Sequence, residues 1–396
     1  MGNIFDGLRV VDFTNNIAGP FPTAILADFG AEIIKIERPK NGDSSRSYLP
    51  ILDGVGLPFI WGNRGKKSLV LDMRDPEGVE IAKKLITTAD LVVESFKPGT
   101  MEKFGLGFEA LQKINPTIIL CSISAFGQTG PYSNKPGYDT IAQSYSGIMD
   151  MTGDADGSPT RIGFAIADYN AGIFGYAGIV SALYHRERTG VGQHVDISLL
   201  DCITAFNGQI ESAGLGNKPT RSGNHHGSLG PFGVYQGNGG TVTICAPETG
   251  PWTTLCGVMG KPELATDPLF ANNTARVKNL ALLVGIIESW LKSFPSVDEP
   301  VSLMDKAGVP CAKILSTADM LNDEQLKARG MITDLETPDG VSVGTVIARG
   351  NPLKFSAVKA VLKKAPALGQ HEAEILQSIG YDEAAIAQLK SKWSVS

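Results

Sequence analysis

Nowhere in the 396 residues do eighteen apolar residues run together, so no segment has the length of a membrane-crossing helix. Lys and Arg never cluster into a basic arm and the formal net charge is −6, which argues against a nucleic-acid partner. An anionic ligand would have to be held by local cations. The five cysteines (Cys121, Cys202, Cys245, Cys256 and Cys311) are odd in number, scattered and free of any CxxC pair. They read as reduced thiols, not as a disulfide framework or a thiolate metal site. His225 and His226 stand side by side without a carboxylate or cysteine at ligand spacing, so no metal is expected. There is no GxGxxG after the first strand, no GxxxxGK[ST], no GxSxG and no HExxH. Residues 1–7 lack the basic and apolar pattern of a signal peptide, and Asp6 breaks a myristoylation motif, so a cytoplasmic location is expected. The chemistry left open is that of carboxylates, amides and hydroxyls.

What is abundant is glycine, 46 residues of it, implying many tight turns and close backbone approaches. The first 200 residues alternate strand and helix signals. Strands are expected at 8–13, 31–37, 68–71, 91–94, 117–122 and 194–198, with helices at 21–29, 76–89 and 108–114 between them. A further strand-like run covers 160–165, an apolar, glycine-spaced helix covers 171–183, and another helix is expected at 200–213. Such alternation predicts an α/β fold, a mostly parallel Rossmann-like sheet in a large domain with a second, smaller α/β domain. The expected partition is 1–213 for the large domain, 214–240 for a linker and glycine-rich loop, 241–330 for the small domain, and 331–396 for a segment returning to the large one. Within the last two, a strand is expected at 241–246, a helix at 280–291, a strand at 341–347 and a helix at 382–392.

Asp168 stands alone among small and apolar neighbours in Gly163-Phe164-Ala165-Ile166-Ala167-Asp168-Tyr169-Asn170-Ala171-Gly172. At a helix entrance the free N–H groups and the dipole stabilise an anion, which suits an ionised nucleophile and equally suits an N-cap. Other segments fall at expected strand ends. They are Asp12 to Pro20, Ile36-Glu37-Arg38-Pro39, Phe96-Lys97-Pro98-Gly99 followed by Lys103, Phe126 to Pro131, and Gly137-Tyr138-Asp139. Ligands of parallel sheets bind beyond the carboxyl ends of the strands, so these segments would converge on one side.

In this order the motifs resemble those of the class III coenzyme A transferases, the family of formyl-CoA and carnitine CoA-transferases. The resemblance rests on DFT-x3-AGP at 12–20, GAEIIKIERP at 30–39, GDSSR at 42–46, FGQTGP at 126–131, GYD at 137–139, and IADYNAG followed by TGVGQHVDISLLD at 189–201. It implies an enzyme that moves coenzyme A from an acyl-CoA to a small carboxylic acid, with no metal and with Asp168 as the nucleophile. Asp168 would pass through an aspartyl anhydride and an aspartyl-CoA thioester. The resemblance further implies Asn16, Ile17 and Ala18 at the pantetheine, Arg38 and Arg74 at the adenosine phosphates, Leu71 and Phe96 at the adenine, and Lys103 and Tyr138 completing the site. Pro136 stands where some relatives carry a lysine, a contact that Lys135 could supply. His225, His226, Gly227 and Gly230 fall on the family's glycine-rich lid, here with its glycines interspersed. An interlocked homodimer is also implied. The related α-methylacyl-CoA racemases carry His at the position of Tyr138, and a tyrosine, with an ordinary pKa of roughly 10, is a poor base for that chemistry.

Overall fold

The computed structural model describes residues 2–218 and 220–394. Residues 1–148, 162–208 and 324–396 form one compact unit, and residues 149–161 and 209–323 form a second.

The first unit is built on six strands that pair in parallel throughout: Lys67–Val70, Glu32–Glu37, Arg9–Phe13, Leu91–Glu94, Ile119–Ser124 and His194–Ser198, in that spatial order. Numbered along the chain, these parallel strands run 3-2-1-4-5-6, the doubly wound order. Both faces of the sheet are buried, which explains the nearly continuous Val and Ile runs in the strands. Val11, Ile34, Leu69, Val92 and Leu120 pack to one side with Ile81, Leu85 and Trp393. Their strand neighbours Val10, Ile33, Val93, Ile119 and Cys121 pack to the other with Leu26, Ala171 and Ile179. The helices carry ordinary punctuation. Asp75 caps Pro76–Ile86 by accepting the Glu77 N–H at 3.1 Å, and Pro20 opens Pro20–Asp28. Gly190, at φ 73°, closes the long helix Ile166–Thr189 in the left-handed conformation.

The second unit holds an antiparallel sheet of Cys311–Lys313, Gly240–Cys245 and Phe232–Gly237, with its own core around Tyr235, Val242, Ile244, Trp252, Leu283 and Ile287. No helix among the described residues is long and apolar enough to cross a membrane.

Several expectations are corrected. Residues 160–165 pair with no strand, and the helix after them starts at Ile166, not at 171, and runs to Thr189. The stretch 200–213 breaks into Leu199–Thr204 and Ile210–Gly214. The segment 214–240 is more than a linker, because Phe232–Gly237 supplies an edge strand that buries Tyr235. In the tail, the strand Thr345–Arg349 pairs with Ile332–Glu336, which the sequence reading had not identified as a strand.

Candidate active site

The doubly wound order places a topological switch between Arg9–Phe13 and Leu91–Glu94, since the chain leaves these neighbours in opposite directions. Beyond their carboxyl ends lies a cavity of about 290 Å³ whose wall includes Asn15, Asn16, Ala18, Lys97, Tyr138 and Asp168. A second cavity of about 490 Å³ lies over the ends of the first four parallel strands, walled by Arg38, Leu71, Arg74 and Phe104 among others. Asn15 and Phe96 line both. Together they suit an elongated ligand with one bulky, charged end.

Asp168 is the third residue of its helix, half-buried, with no hydrogen-bond donor on its carboxylate among the described residues. It is not the cap. The N-cap residue is Ala165, and the capping oxygen comes from elsewhere: Asp139 Oδ1 accepts the Ala167 N–H at 2.8 Å, while its Oδ2 accepts from Gln143 Nε2 at 2.7 Å. The stabilisation expected of the helix entrance is opposed at Asp168 by burial. Burial, with the neighbouring Asp139 carboxylate adding to it, pushes Asp168 up to about 7. Asp139 thus caps the helix start, and its charge disfavours a second carboxylate charge on Asp168.

The other anticipated residues divide. Asn16, Ala18 and Tyr138 share the first cavity with Asp168, and Tyr138 is 71% exposed. Arg38, Leu71 and Arg74 share the second, and Phe96 borders both. Arg38 donates from Nε to the Gly42 carbonyl at 2.9 Å and has no carboxylate partner among the described residues. Arg74 forks onto Asp72 at 2.9 and 2.7 Å. Ile17 and Lys103 line neither cavity. Ile17 spends its carbonyl on the Phe21 N–H, and Lys103 is exposed on the short helix Thr100–Lys103, so Lys97 is the cation brought to the site from that segment. Lys135 also lines the first cavity, its ammonium lying 3.8 Å from the centre of the Tyr132 ring. His225, His226, Gly227 and Gly230 belong to the second unit and are tied down within it. His225 packs edge-on against Tyr235, His226 donates its N–H to the Phe232 carbonyl, and Gly230 donates its N–H to Asn273 Oδ1 at 3.0 Å.

Two buried carboxylates escaped the sequence reading. Glu94 ends the fourth parallel strand, accepts the Phe96 N–H at 2.7 Å, and is pushed up to about 7 by burial. Asp43, within GDSSR, accepts the Asn16 N–H at 3.1 Å. Only the motif containing Asp43 could have signalled it. Among the described residues, no group of three or more His, Cys, Asp or Glu is placed to hold a metal ion.

Residues 5–372 match the family model described as CoA-transferase family III. The chain is 40% identical to an acetyl-CoA:oxalate CoA-transferase of Acetobacter aceti, over 96% of this chain and 97% of that protein. It is 37% identical to a succinyl-CoA:glutarate CoA-transferase of Mus musculus, over 97% of this chain and 88% of that protein. Among solved structures, a CAIB/BAIF family protein from Brucella suis superposes with a TM-score of 0.85 at 38% identity, covering 96% of this chain and all of that one.

Proposed function

The chain belongs to CoA-transferase family III, and from that premise we propose that it carries coenzyme A from an acyl-CoA to a short dicarboxylic acid, with Asp168 as the covalent nucleophile. The observation that carries the reading is the Asp168 carboxylate, half-buried, without a hydrogen-bond donor among the described residues, in the wall of the switch-point cavity. The acceptor class is drawn from the relatives, whose names specify oxalate and glutarate.

In the proposed sequence an ionised Asp168 oxygen attacks the thioester carbonyl carbon. The C–S bond breaks, leaving a mixed anhydride on Asp168 and a free CoA thiolate. The thiolate then attacks the Asp168 carbonyl, expels the donor's carboxylate and forms an aspartyl-CoA thioester. The incoming acid displaces the thiolate to give a second anhydride, and the thiolate attacks that acid's carbonyl to release the new acyl-CoA and restore Asp168. One thioester replaces another, so the exchange needs no external energy source. A carboxylate without hydrogen-bond donors is a stronger nucleophile than a solvated one, and burial supplies that state once the proton has left. Asn16 and Ala18 are assigned to the pantetheine end, and Arg38, Leu71, Arg74 and Phe96 to the nucleotide end. We also assign the apolar surface of the long helix to contact with a second copy of the chain.

The test is trapping. Incubation with acyl-CoA and hydroxylamine is expected to leave a hydroxamate on Asp168, located by peptide mass spectrometry. Asp168→Ala is expected to bind CoA without transferring it. A wild-type enzyme that turns over with no adduct at Asp168, or an active Asp168→Ala, would overturn the assignment.

A further inference from the structure

A row of buried charges lies under the segment that carries Asn16. Lys66 Nζ meets Asp12 Oδ2 at 2.8 Å, Lys35 Nζ meets Asp43 Oδ2 at 2.8 Å, and all four side chains are sealed from solvent. All four feed directly into the backbone that follows the first strand, Lys66 by donating to the Pro20 carbonyl at 3.1 Å. Asp12 Oδ1 accepts the Thr14 N–H at 2.8 Å, Lys35 donates to the Thr14 carbonyl at 2.8 Å, and Asp43 Oδ1 accepts the Asn16 N–H at 3.1 Å. Asp43 is itself fixed, accepting from the Ser45 N–H and hydroxyl at 2.8 and 2.7 Å.

Stability is a poor reason for such a row, because apolar residues of similar volume often serve as well or better in place of a buried ion pair. The backbone it grips supplies a different reason. Asn16 sits at φ 68°, a left-handed conformation that side-chain-bearing residues seldom adopt unless their surroundings impose it. In that conformation its Oδ1 accepts the Tyr48 hydroxyl at 2.7 Å, and the residue shares a cavity wall with Asp168.

We propose that Asp43, locked by Lys35, is a positioning residue that holds Asn16 in its left-handed conformation so that the Asn16 side chain is presented beside Asp168 for acyl transfer. The proposal rests on the reading of Asp168 as nucleophile. A pair that were merely structural would affect stability and leave the turnover of folded molecules alone.

The decisive variant is Lys35→Met with Asp43→Leu, which removes both charges without orphaning either. It is expected to fold, to bind CoA within about threefold of wild type, and to lose about 30-fold or more in kcat, since misplacement of about 1 Å can cost on the order of 100-fold. Asp43→Ala is the second variant, in which Lys35 keeps the Thr14 carbonyl and the nearby Asp12 and Glu37 charges. The same loss of kcat is expected. Asn16→Gly provides the readout that a structural role would not move, because glycine takes positive φ freely. In that background nothing is left to hold, and either Asp43 change is expected to cost less than about threefold beyond Asn16→Gly alone. Folded Asp43 variants with wild-type kcat, or a loss equally large in the glycine background, would overturn the proposal. Hydroxylamine trapping on the wild-type enzyme separates the two levels. With no Asp168 adduct there, the underlying reading falls. With wild type and variants trapping at equal rates, the positioning role falls.

Discussion

At the residue scale, the two carboxylates at the helix start do different work because one has donors and the other has none. Asp139 accepts from a backbone N–H and an amide, whereas Asp168 has lost water and gained only a like charge, so its pKa climbs to about 7. The proposed nucleophilic role requires the ionised form, so kcat/KM is expected to rise about tenfold per pH unit below pH 7 and to level off above it. Asp139→Asn keeps an acceptor for the cap and removes the like charge. Because burial is the larger cause, that variant's rising limb should move to lower pH by less than about one unit in a pH–rate profile. Stability runs the other way. With its folded pKa above the unfolded 3.8, Asp168 favours folding fully below the unfolded value, and that favour is lost as pH rises through about 7. Asp168→Asn, neutral throughout, is therefore expected to gain stability over wild type between pH 4 and 7. The gain should plateau at about 1–2 kcal/mol after allowance for partial exposure, as measured by urea denaturation across that range. The ordered motifs made Asp168 legible in the sequence. Its place in the first turn and its raised pKa were not, because the capping oxygen and the like charge arrive from Asp139 on a separate helix.

At the element scale, the long helix is glycine-spaced for packing, not for flexibility. A Cβ added at Gly172 would lie 2.6 Å from the Phe21 ring and 3.2 Å from the Ala18 carbonyl, and one at Gly178 would lie 2.7 Å from Val195. The helix thus approaches both Pro20–Asp28 and the sheet more closely than any side chain would allow. Gly172→Ala is expected to cost about 1–3 kcal/mol by overpacking and to lower kcat, because it pushes the helix of Asp168 away from Ala18 in the same cavity wall. Gly285 is the contrast. It lies exposed within Leu280–Leu291 with nothing near its would-be Cβ, so Gly285→Ala is expected to stabilise by about 0.5–1 kcal/mol and leave turnover unchanged. Thermal denaturation beside steady-state kinetics would check both substitutions. The same crowding explains why the start of the helix was misplaced at 171. With apolar and small residues all round, it has no polar face whose periodicity would mark its first turn.

At the scale of the whole molecule, the parallel sheet was readable because strand, helix and strand follow one another locally, and right-handed crossovers leave few ways to assemble them. The partition was not, since 149–161 joins residues beyond 209 through contacts such as Arg221 with the Asp150 carbonyl at 2.7 Å, which local patterns do not announce. One surface of the first unit exposes large apolar side chains. On the long helix Ile173 is 54% and Tyr184 64% exposed, and Phe174 meets Phe206, itself 61% exposed, edge-on with ring centres 6.0 Å apart. Large apolar groups gathered in this way on one surface suit the proposed contact with a second copy, and the low polarity of this helix face would suit a permanent one. Light scattering is expected to give twice the chain mass at micromolar concentration. Replacing Ile173 and Phe174 with glutamate removes apolar contact area and forces four carboxylates towards one interface, so the variant should run at a single chain mass with its far-ultraviolet dichroism intact. A wild-type chain that stays monomeric would rule out the self-contact, and a variant that stays dimeric would place it on another surface.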